Sequence, residues 1–168
     1  MIVVVLVASV GYRSFGSAET ATGTLTLPQP APTSGEKAPT FSEPDARGED
    51  FRLTNDGIYV LTFWSTLNQG SNDAQAGFEK LAREYGDDGV TFAAVYVSST
   101  PEEDGEPYAT LQDSRGHLTS LYNVKRVPRL FVVKDGIITT VQNDYYDGTE
   151  KELETAIQTA LEPESRHN

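Results

Sequence analysis

Residues 58–71 read Ile-Tyr-Val-Leu-Thr-Phe-Trp-Ser-Thr-Leu-Asn-Gln-Gly-Ser, and the predicted architecture follows from them. The first part of this stretch is a near-continuous apolar run, which is typical of a central strand covered on both faces. After a polar turn, apolar residues recur at helical spacing from residue 74 to residue 85, and Gly86 ends the predicted helix. The stretch therefore predicts a buried strand that leads through a turn into an amphipathic helix.

The segments around this unit predict the rest of a mixed sheet. Residues 90–97 form a second buried strand, which completes a β-α-β unit. Residues 130–141 predict an antiparallel hairpin, because Asp135-Gly136 is a dipeptide typical of a two-residue hairpin turn. A shorter hairpin over residues 41–53 precedes the unit.

Two helices complete the set of predicted elements. A short helix is expected over residues 117–122, after an acidic loop over residues 98–107. The last helix is expected over residues 149–161, where apolar residues line one face. Thr149 and Glu152 have the spacing of a capping box at its start.

These elements, in this order, resemble the thioredoxin fold, and the nearest likeness is to the extracytoplasmic TlpA/ResA-like thiol-disulfide oxidoreductases. The resemblance implies an α/β fold with three α/β/α layers, a mixed central sheet and an N-terminal β-hairpin. It also implies a cis peptide bond before Pro128. Three segments carry the resemblance: Gly35-Glu-Lys-Ala-Pro-Thr-Phe41, Phe63-Trp-Ser-Thr66 and Leu121-Tyr-Asn-Val-Lys-Arg-Val-Pro128.

The redox chemistry of those relatives has no counterpart in this sequence. Asn68 and Ser71 stand where the resemblance places the two redox cysteines, and Leu67 stands at the tryptophan of the motif. Thr62 occupies the position at which many thioredoxins bury an acidic residue. The chain contains no cysteine, so it forms no thiolate and exchanges no disulfide.

The replacing residues have an ordinary structural interpretation. Asn68 is a candidate N-cap of the helix, with Asn72 as the other candidate, and Ser71 is expected to hydrogen-bond at the helix N-terminus. A nucleophilic Ser71 would need an activating base, and the histidines lie in a polar tail (His167) and at the start of a short helix (His117). The sequence has neither the ligand spacing of a metal site nor a phosphate-binding glycine loop. We therefore predict no catalytic residue, no metal and no cofactor.

Peptide binding is the activity that needs no sulfur. In thioredoxin folds an extended peptide pairs with the main chain beside the cis-proline, which is a form of strand addition. We predict a redox-inactive module that binds an extended peptide or a protein in this groove. The alternatives are a divergent thioredoxin-fold enzyme that uses the replaced positions or a bound cofactor, and a paralogue that keeps its core without an activity. The groove is expected to be framed by Leu67, Asn68, Gln69, Val127 and Pro128.

The charge of the chain excludes several classes of partner. It carries 13 Lys and Arg against 25 Asp and Glu, a net charge of −12. No basic stripe is present to displace counterions from phosphates, which argues against nucleic acid. The same charge argues against an amphipathic helix on anionic lipid and against an acidic partner surface.

The N-terminal segment predicts export. Residues 2–10 form an apolar run that is too short to span a bilayer comfortably, and Gly16-Ser17-Ala18 places small residues where a signal peptidase cleaves. We predict a signal peptide or short membrane anchor over residues 1–18, with a membrane tether through residues 2–12 if it is uncleaved. The expected location is extracytoplasmic: periplasm, cell envelope or secreted.

The remaining boundaries follow from composition. Residues 19–38 are rich in Thr and Pro and lack periodicity, which predicts a disordered linker. The thioredoxin-like domain is expected over residues 39–161, followed by a polar tail over residues 162–168. The partner is expected to be an extracytoplasmic protein or an extended peptide.

Overall fold

The computed structural model describes residues 30–100, 105–146 and 148–163, and it confirms the mixed α/β fold. A five-stranded mixed sheet and a separate antiparallel hairpin carry the strands. In chain order the elements are β1 (Phe41–Pro44), β2 (Asp50–Leu53), β3 (Ile58–Trp64), α1 (Gln69–Tyr85), β4 (Val90–Tyr96), β5 (Ala109–Gln112), α2 (His117–Leu121), β6 (Arg129–Lys134), β7 (Ile137–Asn143) and α3 (Thr149–Leu161).

The sheet has the strand order β5-β4-β3-β6-β7, so the strand of the opening stretch lies at its centre. β3 is parallel to β4, and β4 is parallel to β5. On its other side β3 pairs antiparallel with β6, which in turn pairs antiparallel with β7. The carboxyl ends of β3, β4 and β5 therefore meet at one edge of the sheet, where α1 begins.

The two faces of β3 pack against different layers, which explains its continuous apolar run. Val60 and Trp64 belong to the core beneath α1 and α3. Leu61 and Phe63 belong to the core that α2 and the β1–β2 hairpin cover. Burial of apolar side chains on both faces contributes about 1.5–3 kcal/mol for each large residue, so the central strand holds the three layers together.

One strand of the sheet was not predicted. β5 is only 4 residues long, which is too short for a two-residue alternation to be recognised. Thr110 and Leu111 within it are buried. The backbone N–H of Ala46 donates to the carbonyl of Thr110 at 2.8 Å, so the turn of the β1–β2 hairpin covers the outer edge of β5.

The predicted capping box at α3 is wrong. Thr149 is already the first helical residue, and the N-cap is Gly148, whose φ is 101°. The Thr149 hydroxyl accepts from the backbone N–H of Tyr146 at 3.0 Å, while the Glu152 carboxylate accepts from the Tyr146 hydroxyl at 2.6 Å. Both side chains bind Tyr146, three residues before the first helical residue, rather than each other's backbone.

The ordered domain begins earlier than the predicted boundary at residue 39. The backbone N–H of Gly35 donates to the carbonyl of Ile138 at 2.8 Å, and the N–H of Ile138 donates to the carbonyl of Glu36 at 2.9 Å. Ala38 is buried. These bonds occupy the edge of β7, so residues 33–38 pack onto the sheet instead of forming a linker.

Several predictions fall outside the described residues. They concern the signal peptide or anchor over residues 1–18, the linker over residues 19–29 and the tail over residues 164–168, and they stay predictions. Within the described part of the chain, no helix is both long enough and apolar enough to cross a bilayer.

Candidate functional site

The site at the carboxyl edge of β3 is built around the N-terminus of α1. Asn68 is the N-cap, with the extended backbone (φ −109°, ψ 122°) that this position requires. Its side-chain oxygen accepts a hydrogen bond from the backbone N–H of Ser71 at 2.9 Å. Of the two N-cap candidates in the sequence, the structure selects Asn68.

Ser71 is held in place by the same cap. Its hydroxyl donates to Asn68 Oδ1 at 3.3 Å and accepts from the backbone N–H of Ser65 at 3.2 Å, and the residue is buried. His117 lies elsewhere, since its Nδ1 is 2.9 Å from Glu43 Oε1 on the β1–β2 hairpin. Among the described residues, therefore, no histidine is placed to activate this hydroxyl.

A hydroxyl network fixes the turn between β3 and α1, and sequence reasoning missed it. Ser65 Oγ and Ser98 Oγ share a hydrogen bond at 3.0 Å, and Thr66 Oγ1 is 3.3 Å from Ser99 Oγ. The Ser65 hydroxyl also accepts from the backbone N–H of Leu67 at 3.2 Å. The turn that presents Leu67 is thus bonded to the end of β4, a link that joins residues more than thirty positions apart.

Pro128 lies directly beside the first turn of α1. A Cβ added to Gly70 would lie 3.5 Å from Pro128 Cδ, an ordinary van der Waals distance, so the proline packs beside the first turn of the helix. The Val127–Pro128 peptide bond is cis, as the resemblance implies. Val127 is partly buried against the core beneath α2. The structure therefore brings Asn68, Ser71 and Pro128 together at one site.

The remaining predicted groove residues lie on the outer surface of the turn. Leu67 is 88% exposed, the most exposed large hydrophobic side chain of the described residues. The Gln69 amide donates to Asp73 Oδ1 at 2.6 Å. Apolar surface is normally withdrawn from water, so Leu67 is the unusual feature of this surface.

Aromatic side chains pack in the core beneath the site. Trp64 is buried with its ring centroid 5.1 Å from that of Phe78, and 5.7 Å from that of Tyr96. A small cavity of about 30 Å³ separates Trp64, Thr62 and Pro128 from the start of α3. Burial raises the pKa of both Tyr96 and Tyr108, so these phenols stay neutral at physiological pH.

The described part of the chain holds no cluster of metal-ligating side chains. No group of three or more His, Asp or Glu side chains in residues 30–100, 105–146 and 148–163 is arranged to hold a metal ion. The Asp73 carboxylate, close to the site, accepts from the Gln69 amide.

This geometry defines the class of protein. A central β3 that runs into α1, beside a cis-proline at the start of β6, is the active-site framework of a thioredoxin fold. The redoxin family model matches residues 33–157, and the chain belongs to that family. Because it has no cysteine, it cannot perform thiol-disulfide exchange with its own side chains.

Solved structures show the same fold at low sequence identity. A candidate thiol:disulfide interchange protein DsbE from Chlorobium tepidum has 22% identity and a TM-score of 0.66, covering 77% of this chain and 98% of its own. StoA from Bacillus subtilis has 18% identity and a TM-score of 0.60, covering 73% and 98%. The exposed lipoprotein thioredoxin Etrx1 from Streptococcus pneumoniae has 20% identity and a TM-score of 0.59, covering 71% and 99%. The comparison with curated proteins gives no significant match.

Proposed function

We propose that this chain is a redox-inactive member of the redoxin family that binds an extended peptide or protein segment in the groove beside Pro128. The groove consists of Leu67, Gln69, Val127 and Pro128. The observation that carries the proposal is the division of roles at the site: Asn68 and Ser71 are bonded to each other, whereas Leu67 is 88% exposed.

This division of roles means that Asn68 and Ser71 stabilise the helix N-terminus, whereas Leu67 is available to bind a partner. The polar groups that replace the cysteines cap the helix, so neither is free to attack a substrate. The apolar side chain next to them is held out in solvent by a turn that is hydrogen-bonded to β4. Fully covering a leucine side chain with a partner would gain about 1.5–3 kcal/mol, so Leu67 is the proposed anchor of the binding surface.

The partner is proposed to lie outside the cytoplasm. This part of the proposal is supported by the apolar N-terminal run with small residues after it. The likeness to a pneumococcal protein described as an exposed lipoprotein thioredoxin points the same way. Fractionation of the source cells, with the full-length chain followed by an antibody, tests the location directly.

The binding role is tested by photocrosslinking from position 69 in the source cells. A photoreactive amino acid replaces Gln69, and adducts are identified by mass spectrometry. A matched reporter replaces Glu84, which is exposed at the far end of α1, about 22 Å away at 1.5 Å per residue. A dominant adduct is expected from position 69 alone.

A second variant decides whether the adduct depends on the groove. Val127→Arg places a long charged side chain beside Pro128, and it is expected to abolish the adduct while the protein stays folded. The same adduct from both reporter positions, or no adduct from a folded and exported chain, would overturn the proposed binding role.

A further inference from the structure

We propose that the segment bound beside Pro128 is acidic, with Asp or Glu side chains that meet Lys125 and Arg126. This inference rests on the proposed binding function and adds the chemistry of the partner. The net charge of −12, taken alone, would argue against an acidic partner. The charge around the groove, however, differs from that of the chain as a whole.

The first observation is the distribution of charge along the sequence. Residues 114–134 contain no Asp or Glu, although the chain has 25 of them. The same stretch contains five of the 13 Lys and Arg residues. Its centre is the Lys125-Arg126-Val127-Pro128-Arg129 segment, so the groove proline is flanked by cations on both sides.

The second observation is that these cations are not neutralised within the fold. Lys125 and Arg126 are exposed. Five ion pairs are formed among the described residues, and none involves either side chain. Where acidic residues outnumber basic ones by almost two to one, unpaired neighbouring cations on a binding loop are available to an outside carboxylate.

Arg129 provides the third observation. Its guanidinium carbon lies 5.2 Å from the centroid of the Phe131 ring, and its Nε is buried without a hydrogen-bond partner among the described residues. Partial burial lowers the pKa of this guanidinium, although arginine stays charged at physiological pH. A further carboxylate of the bound segment that reached Arg129 would compensate a cation that the protein has partly desolvated.

The acidic groups near the groove indicate at which end of it the carboxylates of a bound segment would lie. Asp144 is exposed, and its backbone N–H donates to the carbonyl of Pro128 at 3.1 Å. Asp73 is bonded to the Gln69 amide on α1. Lys125 and Arg126 therefore precede Val127 and Arg129 follows Pro128, while an acid borders Pro128 from the end of β7. We expect the carboxylates of the bound segment at the Lys125–Arg126 end.

Selection from a phage library of random 12-residue peptides on the immobilised full chain tests the inference. Peptides enriched on the wild-type chain are expected to contain an excess of Asp and Glu over the input library. That excess should disappear on the K125Q/R126Q double variant. It should persist on R52Q/R83Q, which removes the same charge at exposed positions on β2 and in the last turn of α1.

The strongest peptide is then compared with its Glu-to-Gln and Asp-to-Asn version by fluorescence anisotropy. We expect the acidic form to bind about fivefold more tightly at 50 mM salt, with the advantage falling below about twofold at 300 mM as the charges are screened. Asp144→Asn should tighten binding of the acidic form.

The outcomes separate the two proposals. Enriched peptides without an acidic excess, or equal affinity of both peptide forms, would overturn the acidic preference. If Leu67→Ser then abolished their binding, the groove function would still stand. Failure to enrich any peptide, or enrichment that Leu67→Ser and Val127→Arg leave unchanged, would overturn the groove function and the inference with it.

Discussion

Asn68 and Ser71, which the family resemblance predicts at the two cysteine positions, are hydrogen-bonded to each other: Asn68 Oδ1 accepts from the Ser71 backbone N–H at 2.9 Å and from its hydroxyl at 3.3 Å. A side chain that satisfies free N–H groups at a helix N-terminus contributes stability. The pair therefore forms a structural cap at the N-terminus of α1.

Removal of the cap should destabilise the fold. Asn68→Ala is expected to lower the free energy of unfolding by about 1 kcal/mol, because the Ser71 N–H loses its acceptor. Asn68→Asp should keep wild-type stability, since Asp is an equally good N-cap and its charge suits the positive end of the helix. Urea denaturation measures both. Asn72→Ala, at the N-cap candidate that the structure does not use, is the control, and an equal loss there would contradict the assignment.

Ser71 should matter for stability and not for reactivity. Ser71→Ala removes the acceptor of the buried Ser65 N–H, which is expected to cost about 1–3 kcal/mol. The exposed Ser99 hydroxyl provides the matched control, and Ser99→Ala should change stability by less than about 0.5 kcal/mol. A serine-directed probe should label wild type and S71A equally. Labelling that S71A abolishes would instead favour the enzyme alternative.

From residue patterns alone, the site could be predicted only where its contacts are local, whereas the cis bond before Pro128 is implied by the family resemblance. The apolar run from Ile58 and the helical spacing after it are local patterns, and they located β3 and α1 correctly. The Asn68 cap is local too, yet Asn72 fitted a capping pattern equally well. The bond between Ser65 and Ser98 depends on the register of β3 against β4, and no spacing in the sequence reveals it.

Two errors have the same kind of cause. Thr149 and Glu152 have capping-box spacing, but the box requires Thr149 to precede the helix, and Gly148 takes that position with φ at 101°. Residues 33–38 have linker composition, but the open edge of β7 supplies partners for their backbone. In both places the tertiary surroundings outweigh the local pattern.

The helix N-terminus should still activate a thiol placed on it. In Asn68→Cys the sulfur occupies the N-cap, where the helix dipole favours a thiolate, so its pKa should fall below the ordinary value of about 8.5. The pH dependence of alkylation by iodoacetamide measures this. Glu84→Cys, near the opposite end of α1, should titrate at the ordinary value or above. Equal titration of the two thiols would mean that the site has lost the electrostatics of its relatives.

Leu67 should contribute to binding and not to folding. Leu67→Ser removes apolar surface that is already 88% exposed, so the free energy of unfolding should change by less than about 0.5 kcal/mol. Crosslinking from position 69 should nevertheless fall sharply. Leu61→Ala, in the buried core, should instead cost about 2–5 kcal/mol. A folded Leu67→Ser variant with undiminished crosslinking would indicate that the partner uses another surface.

The turn of the N-terminal hairpin should make the fold sensitive to acid. Desolvation disfavours the charged form of the Asp45 carboxylate, but hydrogen bonds from the backbone N–H of Glu49 and from Arg47 outweigh it, and the pKa of Asp45 is held below its ordinary value. A depressed folded-state pKa contributes stability that is fully present above the unfolded value, about 3.9, and is lost as pH falls through the folded value. The urea midpoint of wild type should therefore decline below about pH 4.

Asp45→Asn should be less stable than wild type at pH 7 and show a smaller decline in acid. Asp50→Asn, at an exposed position, should follow wild type. An unchanged acid response in Asp45→Asn would assign the sensitivity to other carboxylates.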